Sequence, residues 1–304
     1  VHSGLENSLA AGTTLLGDIS RFCSTTRKAI SEFTPRPAVV SFGEVLGAKN
    51  VDELLHPSID RQFESPDLIC GISPHSTYTV PPETMSKCVE VGASHEMRMC
   101  IHAAESAAEE ELLQDATGPL RSFLESVAAW DSSRKAIHQR PVEYLEHAGA
   151  LGPRTLLVHC NYVNDTEIDL LARTQTSVAY CPRTHHAFGH PPHRFPDMLE
   201  AGVNVCLGTD SLASNPSLSI LDETRFLRRE RPDVSARAIV RMATSAGAKA
   251  LGLENLTGAL RQGMRADLVA IPLDQSGPTN PLENMLIGYS SPKSCMVAGD
   301  LISF

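Results

Sequence analysis

Met97-Arg98-Met99-Cys100-Ile101-His102-Ala103-Ala104-Glu105 carries a short apolar run that ends on an imidazole and meets a carboxylate three residues later. The run, residues 97–102, is too short for a helix and nearly continuous in apolar side chains. That is the pattern of a strand buried on both faces, as in a parallel sheet. Six more runs share it, at residues 13–19, 38–45, 68–72, 155–159, 177–180 and 203–208. Helical patterns lie between them. One spans 106–115 with an acidic first turn (Glu109, Glu110, Glu111), one 141–148, and one 166–173 behind a capping Asp165. Repeated strand–helix alternation predicts an α/β fold with a parallel sheet. Seven strands are counted, where a closed (β/α) barrel has eight.

The strand-like runs end in polar side chains. Glu44 ends the second run, and His75 follows the third in Ser73-Pro74-His75-Ser76. His102 ends the fourth with Glu105 just beyond, His159 ends the fifth, Cys181 to His185 follow the sixth, and Asp210 follows the last in Gly208-Thr209-Asp210-Ser211. In a barrel these ends converge on one rim, where active sites are built. Imidazole and carboxylate there are good ligands for zinc or a similar divalent ion. One histidine at a strand end is usually a satisfied polar residue; such groups at five successive ends form a pattern that chance seldom produces. His138 and His147 fall on polar, helical stretches and are expected to be solvated, and His2 and His95 have no strand-end context. His185, His186, His190 and His193 form a loop cluster expected to line the pocket rather than to hold a second metal. Ser132-Ser133-Arg134-Lys135 has a Ser-x-x-Lys spacing, but in a charged helical stretch without partner motifs it reads as accidental. There is no glycine-rich phosphate loop and no Gly-x-Ser-x-Gly elbow.

Charge and composition narrow the partners. The 304 residues hold 26 Lys and Arg against 36 Asp and Glu, a net charge of −10. That disfavours nucleic acid and anionic membrane, which usually need a basic surface. No apolar run is long enough to cross a bilayer. Eight cysteines without any Cys-x-x-Cys pair read as buried free thiols in a reducing cytoplasm. They also argue against a structural zinc knuckle and a cytidine-deaminase type of zinc site. Val1-His2-Ser3-Gly4 has no initiator Met and no signal-peptide character, and reads as an internal start. Beyond Leu253 the texture changes. Residues 257–271 read as turn, strand, turn, strand, and the tail as a strand pair, 294–297 and 301–304, around Ala298-Gly299-Asp300.

These motifs resemble the amidohydrolase superfamily. The residues that carry the likeness are Ile101-His102-Ala103-Ala104-Glu105-Ser106, Leu157-Val158-His159-Cys160-Asn161 and Leu207-Gly208-Thr209-Asp210-Ser211-Leu212-Ala213-Ser214-Asn215. Phe42-Gly43-Glu44-Val45-Leu46-Gly47, Gly71-Ile72-Ser73-Pro74-His75-Ser76-Thr77-Tyr78 and residues 258–271 agree with it. The nearest branch is that of S-adenosylhomocysteine and methylthioadenosine deaminases, aminofutalosine deaminases and s-triazine chlorohydrolases. The resemblance implies a (β/α)8 TIM-type barrel over residues 1–256, lacking its first strand, and the C-terminal part of a small β-sandwich over 257–304. It implies one divalent metal ion, usually zinc, held by a His-x-His pair on the first strand, a His on the fifth and an Asp on the eighth. His102 and Asp210 match the last two; the His-x-His pair does not occur. Residues 1–11 resemble the helix after the first strand, so that strand and half of the sandwich are expected upstream of Val1.

The resemblance also implies roles. The ion lowers the pKa of a water. Asp210 shuttles its proton, His159 orients it, and Glu105 is the general acid/base that protonates the ring nitrogen and then the leaving amine. Glu44 matches a position that binds ribose hydroxyls, and His75 one that contacts substrate near the reacting carbon. Arg183 and Trp130 are further candidates for substrate contact. The implied activity is deamination of an adenosine-like nucleoside (aminofutalosine, methylthioadenosine or S-adenosylhomocysteine). The alternatives are hydrolysis of another C–N or C–Cl bond on a heteroaromatic ring, as in guanine deaminases and triazine hydrolases, or a non-catalytic scaffold. The expected partner is a small molecule, and barrels of this kind commonly form homodimers.

Overall fold

A computed structural model describes residues 1–47, 50–132 and 134–303. Seven strands form one sheet in chain order: β1 (Leu15–Ser20), β2 (Ala38–Val45), β3 (Leu68–Pro74), β4 (Arg98–Ala103), β5 (Thr155–His159), β6 (Ser177–Tyr180) and β7 (Val205–Leu207). Every neighbouring pair is parallel, as the continuous apolar runs require. The curled sheet is a TIM-type barrel with seven of its strands. β1 and β7 are its two edges. A cavity of about 1340 Å³ is lined by Leu15 and Ile19 from β1 and by Leu207 from β7, so both edges border the same space.

The pleat sorts side chains into two layers. Cys100, Leu156, Val158, Ala179 and Cys206 point inward and pack on Ala246, Ala250 and Leu251, which plug the interior. Ile101, Ala103, Leu157, Val178 and Val205 point outward into the larger core beneath the helices. The eight cysteines are all buried and unbridged. No helix among the described residues is long and apolar enough to cross a membrane.

Arg27 ties the layers together on the β2–β3 side. It lies on the helix Cys23–Ser31 and is almost fully buried. Its guanidinium donates to the carbonyls of Pro57, Ser58 and Asp60 at the end of the helix Val51–Ile59, and to those of Ser41 in β2 and Gly71 in β3. That helix lies so close to β2 that a Cβ on Gly43 would stand 2.9 Å from the Ser58 Cα.

Three C-terminal strands, β8 (Leu268–Ala270), β9 (Ser294–Val297) and β10 (Asp300–Ser303), form a separate antiparallel sheet in the order β10-β9-β8. Leu9 of the helix His2–Ala10 packs on Cys295 and Val297.

Local expectations need correction at three places. Residues 257–271 contain one strand rather than two, because Gly258 and Gly263 both have left-handed backbone (φ 88° and 87°), which breaks extended structure. The cap before the helix Asp165–Thr174 is Asn164, not Asp165. Asn164 accepts from the Glu167 N–H while the Glu167 carboxylate accepts from the Asn164 N–H, a reciprocal capping box. His138 is exposed, but on an irregular segment with left-handed backbone rather than a helix (φ 56°). The Ser132–Lys135 motif and the last strand pair reach Ser133 and Phe304, which lie outside the described residues.

Replacing Arg27 by Leu leaves several buried carbonyls without a donor. We expect a loss of about 3 kcal/mol in unfolding free energy by urea denaturation.

Candidate active site

The candidate residues stand where strands stop pairing. His102 is inward-facing on β4, two residues beyond Cys100. Its Nδ1 lies 2.8 Å from the His75 carbonyl oxygen. A carbonyl only accepts, so Nδ1 carries the proton and Nε2 keeps its lone pair. His159 would point outward if the pleat of β5 continued beyond Leu157. Instead His159 and Cys160 are both left-handed (φ 74° and 52°), and the His159 ring stacks on His102 with centroids 5.5 Å apart. A left-handed Ala104 (φ 51°) likewise ends β4 and brings Glu105 back, so that its Oε1 lies 3.7 Å from the His159 Nε2. Asp210 is the fourth left-handed strand-end residue (φ 56°), and its Oδ2 accepts from the Ser214 hydroxyl at 2.6 Å. Such backbone is uncommon outside glycine and concentrates at functional sites.

These groups also act on one another's charge. Burial pushes the Glu105 carboxyl up; His102 opposes that and Asp210 adds to it. Burial pushes the His159 imidazole far down, His102 adds to that, and Asp210 opposes it. His159 is therefore neutral near pH 7. His75, 5.1 Å from the His102 ring, is pushed down to about 4 by burial and by His102. Its Nδ1 is 2.7 Å from the Thr79 hydroxyl. Glu44, His75, His102 and Asp210 all line the large cavity.

Other expected residues lie elsewhere. The histidine loop does not line the cavity. His193 sits beneath the site: Phe195 N–H donates to its Nδ1, and its Nε2 donates to the His159 carbonyl at 2.8 Å. Arg183 is occupied by Glu223 and Ser217, and Trp130 lies between Arg121 and Arg134. Sequence reasoning passed over Glu109 and Asn161, which hold the backbone of Glu105. The signals for Glu109 were its place in an acidic first turn and the Ser106-x-x-Glu109 spacing of a helix cap, and neither points to the backbone of Glu105.

Among the described residues, no three His, Cys, Asp or Glu side chains are arranged to hold a metal ion. His102 and Asp210 present one free imidazole nitrogen and a carboxylate, chemically suited to zinc but short of a closed set.

Residues 1–302 match the amidohydrolase family, and the chain belongs to that family. It is 30% identical over 220 residues to a 5-methylthioadenosine/S-adenosylhomocysteine deaminase of Syntrophobacter fumaroxidans, covering 70% of this chain and 46% of that protein. It is 32% identical to an aminodeoxyfutalosine deaminase of Deinococcus radiodurans, over 67% of this chain and 50% of the relative. The chain thus spans about half the length of these relatives. The fold is that of the Helicobacter pylori aminofutalosine deaminase solved with methylthio-coformycin, with TM-score 0.86 and 20% identity over 99% of this chain and 74% of that one.

His193 is fully buried, and its pKa is pushed from 6.5 down to about 3. A histidine lowered on folding contributes stability that is present above pH 6.5 and lost as pH falls toward 3. Between pH 6.5 and 5 we expect His193 to account for about 2 kcal/mol of lost stability. Denaturation series at several pH values check this, and His193→Phe should flatten the slope.

Proposed function

We propose that the protein is a metal-dependent deaminase of an adenosine-like nucleoside, releasing ammonia. The observation that carries this reading is the approach of Glu105 to His159 at the rim, beside His102 and Asp210. The relatives' substrates, methylthioadenosine, S-adenosylhomocysteine and aminodeoxyfutalosine, share an adenine-type amino group and a ribose-type ring, and they define the substrate class proposed here.

His102, through Nε2, and Asp210 would hold a single divalent ion, zinc by donor chemistry. The resemblance assigns the remaining positions to a His-x-His pair, which these 304 residues do not contain. When bound, such an ion supplies a water deprotonated near neutral pH. The side chains do the rest. Burial raises the Glu105 carboxyl, which suits it to carry a proton in the reaction. Glu105 delivers a proton to the ring nitrogen beside the amino-bearing carbon, Asp210 shuttles the proton that the water gives up, and Glu105 in turn protonates the departing amine. The carbon gains oxygen, the C–N bond breaks, and ammonia leaves. Neutral His159 orients the attacking water through Nε2. Glu44 accepts hydrogen bonds from sugar hydroxyls, and His75 contacts the ring near the reacting carbon.

Ammonia release from adenosine-like nucleosides by the full-length protein supplied with zinc is the direct test. Absence of release across that panel, with ammonia released from guanine or chloride from chlorotriazines, would move the assignment to the other branch chemistry. Within an active protein, Glu105→Gln should lower kcat by about a thousandfold with metal content unchanged. Asp210→Asn should instead lower the metal content found by elemental analysis.

A further inference from the structure

Glu109 is a carboxylate that the mechanism above leaves unused. It is fully buried in the first turn of the helix Ala107–Asp115. A glutamate at this helix position commonly reaches back to the N–H of the capping residue, here Ser106. Glu109 reaches past it. Its Oε2 accepts from the Glu105 N–H at 2.7 Å and its Oε1 from the Ala104 N–H at 3.1 Å. The Thr77 hydroxyl, two residues beyond His75, donates to the same Oε1. Three uncharged donors from two loops thus converge on the two oxygens of one buried carboxyl, which burial pushes up to about 7.

The geometry of that convergence is specific. Ala104 is the left-handed residue that turns the chain out of β4. The peptide it shares with Glu105 is held on the N–H side by Glu109. On the far side, the Glu105 carbonyl accepts from Asn161 Nδ2 at 3.0 Å, and Asn161 is itself buried just beyond β5. The Ala104 carbonyl accepts from the Tyr162 N–H at 2.9 Å, which extends the β4–β5 pairing past the strand ends. Glu105 therefore has its backbone fixed at both ends and its side chain free to reach His159. Burying a carboxylate among neutral donors is an expensive way to stabilise a fold, since an apolar side chain of the same shape avoids the desolvation. What an apolar side chain cannot do is accept two successive N–H groups in a left-handed turn.

We propose that Glu109 is a positioning residue: it locks the Ala104–Glu105 turn to the loop carrying His75 and so sets where the Glu105 carboxyl meets the substrate. The proposal rests on Glu105 being the proton-transfer group. Glu109→Gln is the informative variant. The amide keeps its shape but offers one acceptor oxygen and turns an NH2 toward the other N–H.

Two readouts separate the possibilities. Amide hydrogen exchange of Ala104 and Glu105 in Glu109→Gln should accelerate by at least about tenfold, the equivalent of one lost buried hydrogen bond, with exchange in β5 to β7 unchanged. In steady-state kinetics kcat should fall by about a hundredfold, the penalty of misplacing a reacting group by about an ångström, while KM stays within about threefold. Thr77→Val, which removes one donor and leaves both N–H contacts, should shift both readouts in the same direction by less; it carries the test if Glu109→Gln does not fold. Unchanged exchange at Ala104 and Glu105 overturns the lock, whatever the protein turns over. Accelerated exchange with unaltered kcat overturns its bearing on the chemistry. Wild-type protein that deaminates no nucleoside, with the exchange difference intact, sinks the deaminase reading and upholds the lock.

Discussion

Left-handed backbone at the ends of the strands is the constraint on which the site depends. A parallel sheet delivers strand ends to one rim, but the pleat alone would send His159 into the outer layer with Leu157. Ala104, His159, Cys160 and Asp210 leave the pleat together, at φ between 51° and 74°. Each costs on the order of 1–2 kcal/mol outside glycine. Side-chain hydrogen bonds, some local and some from distant segments, offset that cost where it arises. His193 donates to the His159 carbonyl, Glu109 accepts from Ala104 and Glu105, Asn161 donates to the Glu105 carbonyl, and Ser214 donates to the Asp210 carboxylate.

The same contacts set the charge state of the rim. A carbonyl against His102 Nδ1 leaves Nε2 as the only lone pair that ring can offer. Burial keeps His75 and His159 neutral and lifts Glu105, so nitrogen bases and a protonatable carboxyl coexist within one half-buried mouth. Polar side chains behind the rim are as buried as the hydrophobic core, and their hydrogen bonds run to backbone rather than to solvent. That arrangement suits a site whose reacting groups must be held within a fraction of an ångström.

Much of this was legible in the residues. Continuous apolar runs ending in Glu44, His102 and His159 announced buried parallel strands with chemistry at one end, because strand burial and strand direction are local properties of pattern and position. The boundaries of β2, β5 and β6 follow directly from those runs. Turn chemistry was read less well. Gly258 and Gly263 break an apparently alternating stretch, and Asn164 caps a helix in preference to its acidic neighbour, because which backbone bends left-handed, and which side chain finds an N–H, depends on the chain around it.

His193 and Glu109 mark where local reading stops. As residue types they are a loop imidazole, which fits a pocket wall, and one of three acidic residues at a helix start, which fits a solvated surface. Only the folding of the β6–β7 connection beneath β5 puts His193 on the His159 carbonyl, and only the left-handed turn at Ala104, with Thr77 brought in from the loop after β3, turns Glu109 onto two N–H groups. That short buried strands alternate with helices, and that several strands end in ionisable side chains, is legible in the sequence alone, since both follow from short-range pattern. The direction in which those side chains point, and the buried groups that hold them there, were decided by tertiary structure, because they depend on backbone reversals stabilised by contacts between distant segments.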